Sequence, residues 1–327
     1  MKSQRMAAVL EKLLDQDWAV FIWGAPGIGK SSLVRQTGEK LGLPVTDLRA
    51  SLLDPTDLRG IPAVEKGRAR WCPPAFLPAP DAKPGILFLD EINAAPPLVQ
   101  ASLYQLVLDR QVGEYVLPKG WKIIAAGNRR TDRAVTFRMS SALSNRFIHL
   151  TLEADATSWQ SWAAGAGIHP LVTAFLRLKP KLLWHADESS EEAFASPRSW
   201  HMLSDVLKRF GSHSEIRDFT SGIVGQSVAA EFHAFCRGAM TEADIRAILA
   251  DPEHAPIPAE LDRKWTLISW LTAMPDESSD AAGILLGRLE PEFAVVLARG
   301  MLTARPAFFA NRHFQAFMAD HTDVFGG

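Results

Sequence analysis

The sequence is short of cysteine, of net charge and of long apolar runs. Two cysteines in 327 residues, Cys72 and Cys236, supply neither a disulfide framework nor a cysteine-based zinc module. They fit a reducing, cytoplasmic compartment. Lysine and arginine total 35 against 37 aspartates and glutamates, a net charge of −2. That balance excludes a strongly basic surface of the kind that holds nucleic acid or an anionic membrane. No apolar run approaches the roughly 18 residues of a membrane helix, so no membrane insertion is expected. The opening MKSQRMAAVLEKLL is not a secretory leader, because Glu11 and Lys12 interrupt it. Its Met6, Val9, Leu10, Leu13 and Leu14 instead recur at helical spacing. There is no HExxH motif and no histidine cluster, which removes the simplest zinc hydrolases. Internal repeats and low-complexity segments are absent too, which excludes a solenoid.

What is present, up to about residue 152, alternates strand with helix. WAVFIW (18–23), LPVTDLRA (43–50), ILFLD (86–90), WKIIAAG (121–127) and FIHLTLE (147–153) read as strands. Apolar strands separated by helical stretches predict a parallel sheet covered on both faces. Two irregular pieces intervene. The Pro- and Gly-rich stretch 57–80 contains VEKGRARW, which predicts a hairpin turning at Lys66-Gly67. RQVGEYVLPKG (110–120) predicts a shorter one. Beyond a boundary near residue 154 the strand signals fade. WQSWAAGAGIHPLVTAFLRL, SPRSWHMLSDVLKRF and VGQSVAAEFHAFCRGA then read as helices.

GAPGIGKS (24–31) satisfies G-x-x-x-x-G-K-[ST] between an apolar strand and a helix, the context this motif requires. Gly24, Gly27 and Gly29 let the backbone curl so that its N–H groups face an anion, and the helix N-terminus adds its positive end. Ala25, Pro26, Ile28 and Ser32 complete the candidate cradle. Lys30 is placed to reach β- and γ-phosphates, and the Ser31 hydroxyl to bind Mg²⁺. ILFLDEIN (86–93) raises the matching question of why a buried strand ends in two acids. Asp90 suits the metal, directly or through water, and Glu91 suits polarising the attacking water. The plain alternative for Glu91 is a carboxylate in a first helical turn, favoured by the helix dipole.

Three further residues stand where a bound phosphate would want partners. Asn128 ends the strand IIAAGN, and an amide there both donates and accepts. Arg146, in ALSNRF, offers a planar fork for phosphate oxygens; Arg130, Arg133 and Arg138 are its rivals. Arg198 follows Ser196 and Pro197, which predict an N-cap and first helical residue. A cation there meets the unfavourable end of the helix dipole, which points to an external anion.

GAPGIGKS, ILFLDE, IIAAGN, ALSNRF and SPRSW, in this order, resemble the AAA+ ATPases and, within them, the MoxR-type group, a relative of the AAA+ subunits of metal chelatases. The resemblance covers residues 1 to about 210. It implies an α/β P-loop core (1–154) with a parallel sheet of order 5-1-4-3-2, an all-α lid (155–210) and a helical C-terminal extension (211–327). It implies ATP and Mg²⁺ as ligands and Asn128 as the sensor on the fourth sheet strand. Arg146 becomes the finger acting on a neighbouring subunit, and Arg198 the sensor on the lid. Self-association into a ring, usually a hexamer, follows. So does remodelling of a partner protein, with a von Willebrand factor A domain as the expected feature of that partner. On this reading the inserts at 57–80 and 110–120 move with the nucleotide and press Arg68, Arg70 and Trp71, or Glu114 and Tyr115, on the client. The alternatives are the ATPase subunit of a metal-chelatase-like complex and, against the charge balance, a nucleic-acid machine.

Overall fold

The computed structural model describes residues 1–129, 132, 137–186, 193–274 and 278–321. Two compact units divide the chain, Met1–Glu153 and Ala154–Gly327.

The described residues of the first unit form nine strands: β1 (Ala19–Trp23), β2 (Val45–Arg49), β3 (Ile61–Glu65), β4 (Arg68–Cys72), β5 (Ile86–Asp90), β6 (Gln111–Val112), β7 (Tyr115–Val116), β8 (Lys122–Gly127) and β9 (Phe147–Thr151). Its helices are α1 (Ser3–Leu13), α2 (Lys30–Leu41), α3 (Pro55–Arg59), α4 (Pro97–Asp109) and the single turn α5 (Ser141–Ser144). The main sheet runs β2-β5-β8-β1-β9, every pairing parallel. Numbered among themselves in chain order and read from the β9 edge, these five strands have the order 5-1-4-3-2.

The interior strand β5 shows why the sheet is buried on both faces. Ile86, Leu87, Phe88 and Leu89 of β5 are all fully buried. Side chains alternate between faces along a strand. Ile86 and Phe88 join Met6 and Leu10 of α1 and Leu33 and Val34 of α2 in one core. Leu87 and Leu89 join Val99, Leu103 and Leu106 of α4 in the other. Each such side chain contributes about 1.5–3 kcal/mol by leaving water. The register brings Trp23 level with Gly127, and Leu89 level with Ala125. The C-terminal ends of β5, β8 and β1 therefore emerge side by side on one edge. In an open parallel sheet that edge is where ligands bind.

The two predicted hairpins form. β3 and β4 turn through Lys66 (φ 50°) and Gly67 (φ 74°), the pair of left-handed residues that a two-residue turn of matching twist needs. β6 and β7 turn at Gly113. Arg70 of β4 reaches Glu65 at 3.3 Å and Glu114 of the second hairpin at 3.9 Å, so an ion-pair cluster joins the two. One expectation fails here. Tyr115 is not available to press on a client, because it packs in the core with its hydroxyl donating to the Pro78 carbonyl at 2.9 Å. Burial pushes its phenol up to about 12. Trp71 is half-buried and joins neither core of the sheet.

The described residues of the second unit fold as helices α6 (Ala156–Gly165), α7 (Pro170–Leu178), α8 (Pro197–Phe210), α9 (Ser221–Val224), α10 (Gln226–Gly238), α11 (Glu242–Ala250), α12 (Leu261–Ala273), α13 (Ser279–Leu286), α14 (Pro291–Ala304) and α15 (Arg312–Asp320). The stretch 159–178, one helix in the sequence reading, is two. It breaks where Gly167 takes φ 66° and Pro170 opens α7. Nor does packing stop at residue 210. Ile216, Val224, Val228 and Phe232 share a core with Phe175, Trp200 and Leu203, so the first helical core runs on through α10. A second core gathers α11 to α15, and Trp265 packs against both.

Candidate nucleotide site

Residues 24–29 leave β1 and enter α2 at Lys30. Gly27 has φ 76°, and Gly29, the N-cap of α2, has φ 97°, conformations that side-chain-bearing residues rarely adopt. The third glycine sits in a crowded place: a Cβ on Gly24 would stand 2.4 Å from Ile28 Cδ1, a side-chain tip that would have to shift, and 3.0 Å from the Leu152 carbonyl. Such a curl, followed by a helix start, turns backbone N–H groups toward a common centre.

Lys30 is buried, with 9% of its surface exposed. Its ammonium donates to the Gly24 carbonyl at 2.7 Å, the Ala25 carbonyl at 3.1 Å and Asn128 Oδ1 at 2.8 Å. Asn128 follows the last residue of β8, so the parallel neighbours β1 and β8 bring lysine and amide together. The next residue, Ser31, donates from Oγ to Asp90 Oδ2 at 2.7 Å. Asp90, 8% exposed, uses its other oxygen to accept the Glu91 N–H at 2.9 Å. Two hydrogen-bonded pairs, Lys30–Asn128 and Ser31–Asp90, thus form one cluster across three strand ends, joined through the adjacent residues 30 and 31.

Glu91 is not a helix first-turn carboxylate. It precedes the short 3₁₀ turn Ile92–Ala94 in the left-handed region, φ 56° and ψ 32°, and its side chain does not cap that turn. A non-glycine residue there carries backbone strain, of order 1–3 kcal/mol, that surrounding structure must hold. Part of the hold is visible. Ser51 Oγ donates to Glu91 Oε2 at 2.5 Å. Ser51 lies in the 3₁₀ turn Ala50–Leu52 directly after β2, and β2 is the strand hydrogen-bonded to β5.

Asn93 supports the opposite side. It is 3% exposed and donates to the Asn128 carbonyl at 2.7 Å. A Cβ on Gly127 would stand 2.3 Å from Asn93 Oδ1, so the strand must end in glycine for this contact to form. Neither Ser51 nor Asn93 stands out from sequence. The signals are faint: a serine just past a strand end, and the asparagine that closes DEIN.

Within the first unit, neither Arg146 nor Arg138 makes a side-chain hydrogen bond or ion pair with this cluster among the described residues. Arg146, just after α5, is exposed, and its side chain makes no hydrogen bond or ion pair among the described residues. Arg138 is likewise exposed. Arg130 and Arg133 lie outside the described residues. Arg198 sits in the first turn of α8, where Ser196 caps the helix by accepting the Ser199 N–H at 3.2 Å and Pro197 takes the first position. Its side chain is exposed in the second unit.

Comparison with known families gives one match: residues 19–147 fit the AAA domain, dynein-related subfamily. This segment is similar to an AAA domain. It begins at β1 and ends as β9 starts, so it contains the loop, Asp90, Glu91, Asn128 and Arg146. An AAA domain is an ATP-binding and ATP-hydrolysing module, and the chain is an ATPase on that basis. No curated protein matches. Among solved structures, NtrX from Brucella abortus in complex with ADP is similar with a TM-score of 0.43 and 17% identity, over 98% of this chain and 68% of that one. The RuvB Holliday junction branch migration motor from Thermotoga maritima is similar with a TM-score of 0.39 and 15% identity, over 78% of this chain and 77% of that one. Likenesses this weak say nothing of substrate or partner.

Lys30→Ala removes the ammonium that ties the loop to Asn128. ATP binding, followed by fluorescence of a labelled nucleotide, is expected to be lost; unaltered affinity would take the phosphates out of this loop.

Proposed function

We propose that the protein is a Mg²⁺-dependent, ring-forming AAA+ ATPase of MoxR type that remodels a partner protein in the cytoplasm. The observation that carries the chemistry is the cluster Lys30–Asn128 and Ser31–Asp90, with Glu91 adjacent. A hydroxyl and a carboxylate oxygen 2.7 Å apart are hard donors of the type Mg²⁺ takes alongside water and phosphate oxygens. No larger carboxylate cage is needed, and among the described residues no group of three or more His, Cys, Asp or Glu converges. When bound, the ion neutralises charge building on the β- and γ-phosphate oxygens.

The protein's own residues divide the remaining work. The loop N–H groups and Lys30 hold the β- and γ-phosphates. Glu91 accepts the proton of a water attacking γ-phosphorus in line, as the bond to the ADP oxygen breaks. Asn128, touching Lys30 and anchored by Asn93, is placed to sense the γ-phosphate. Arg146 is exposed and has no side-chain partner among the described residues, as suits a group that completes a neighbouring subunit's site. Its contribution in trans is worth roughly 10³–10⁵ in rate. Arg198 serves as the second sensor on the helical unit.

The partner-facing part of the proposal rests on the first hairpin. Ile61 is 75% exposed and Val64 81% exposed, with Arg68 and Arg70 also on the surface. Apolar residues left in water on a projecting hairpin suit contact with another protein. A von Willebrand factor A domain in that protein follows from the MoxR resemblance. No described helix is long and apolar enough to cross a membrane.

Glu91→Gln is expected to bind ATP and to hydrolyse it at least about 100-fold more slowly in a phosphate-release assay; normal turnover would assign the water to another residue. Ser51→Ala should act in the other direction. Losing a hydrogen bond worth about 0.5–1.5 kcal/mol frees the carboxylate and raises basal turnover roughly two- to tenfold, and an unchanged or lower rate would make Ser51 a mere support. Arg146→Ala is expected to keep nucleotide affinity and lose turnover. Mixed with Glu91→Gln it should regain part of the activity, because some seams then pair an intact finger with an intact base; mixtures with no rescue would place the finger in cis or at Arg138.

A further inference from the structure

The helical unit contains a cavity of about 370 Å³ that none of the preceding chemistry uses. α6, α7, α12 and the end of α14 contribute its walls. Its lining includes Arg177, Arg305, Ser269, Thr272 and Thr173, and no aspartate or glutamate among the described residues.

Arg177 is the unusual feature. Buried charges are ordinarily paired, because an ion loses its hydration on entering the interior. Among the described residues Arg177 has no ion pair. Its one hydrogen bond there runs from Nε to Gln160 Oε1 at 3.2 Å, a neutral amide, and Nη1 is buried without a partner. Burial alone pulls the guanidinium down to about 10, which still leaves it charged at neutral pH. Ser269, 2% exposed, also lines the cavity, and its hydroxyl likewise has no hydrogen-bond partner among the described residues. Arg305 adds a second cation. It reaches the Leu271 carbonyl at 2.6 Å and so closes the C-terminal end of α12.

A half-buried fork of N–H donors whose Nη1 is buried, a second guanidinium and an idle hydroxyl around one small space are the complement of an oxyanion. A guanidinium presents parallel donors that match the oxygens of a carboxylate or phosphate. The volume exceeds what either needs, which leaves room for water or a small organic body. We propose that this cavity binds a small oxyanion, phosphate or carboxylate, which supplies the counter-charge to Arg177 and ties α7 to α12.

Thermal melting of the full chain tests this, with sodium phosphate or sodium acetate compared against sodium chloride at equal ionic strength. The Lys30→Ala background removes the phosphate loop as a competing site. A rise in melting temperature of about 3–6 °C at tenfold excess over the dissociation constant is expected with at least one of the two anions. Phosphate alone, or acetate as well, identifies which oxyanion the site takes. In Arg177→Met, combined with Lys30→Ala, the response should vanish, while circular dichroism checks that the helices remain. Ser269→Ala keeps the charge and should raise the anion concentration at half-effect about tenfold. Equal melting in all three salts, or a response that survives Arg177→Met, would overturn the proposal.

Discussion

The structure depends on three apolar strands ending level with one another. β5, β8 and β1 lie side by side and parallel, so the residues just past their ends meet without any long-range search. Asp90, Asn128 and the loop before α2 owe their proximity to this register. The hydrogen bonds Ser31–Asp90 and Lys30–Asn128 then lock polar groups that the apolar sheet would otherwise leave unsatisfied where it stops. A one-residue slip of β5 would turn Leu87 and Leu89 to the opposite face and carry Asp90 away from Ser31. Core packing and site geometry are therefore the same constraint seen from two sides.

Much of this is legible from residue order. Buried parallel strands announce themselves as continuous apolar runs, and ILFLD has the same bounds in sequence and structure. The glycine spacing of 24–31 encodes backbone conformation directly, which is why the loop can be read residue by residue. What escapes depends on contacts between segments distant in the chain. The Ser51–Glu91 bond joins residues forty positions apart and exists only because β2 neighbours β5. Tyr115 reads as an exposed hairpin tip, yet its ring fills the core and its hydroxyl finds Pro78. Local pattern does not record which side of a two-residue strand faces inward. Arg177 is equally invisible, since α7 reads as an ordinary amphipathic helix until α12 closes over it.

Glu91 couples strain to chemistry. It sits in a left-handed conformation and its carboxylate is occupied by Ser51. In the proposed mechanism the carboxylate has two states, bound to the serine or turned to a water on the phosphate, and nucleotide contact would shift the balance between them. On the same reading, Arg146 of a neighbouring subunit engages only while a γ-phosphate is present. In the proposed ring, hydrolysis would then remove the contact that favoured one alignment of adjacent subunits, and the exposed hairpin of β3 and β4 would carry that change outward.

The most direct test is a structure of the protein with Mg²⁺ and a non-hydrolysable ATP analogue. The account predicts phosphates inside residues 24–31, the metal at Ser31 and Asp90, the Glu91 carboxylate released from Ser51 toward the γ-phosphate, and Arg146 of an adjacent subunit on that phosphate. A nucleotide bound elsewhere, or bound in this loop with Glu91 still on Ser51 and no neighbouring subunit at the γ-phosphate, would contradict it.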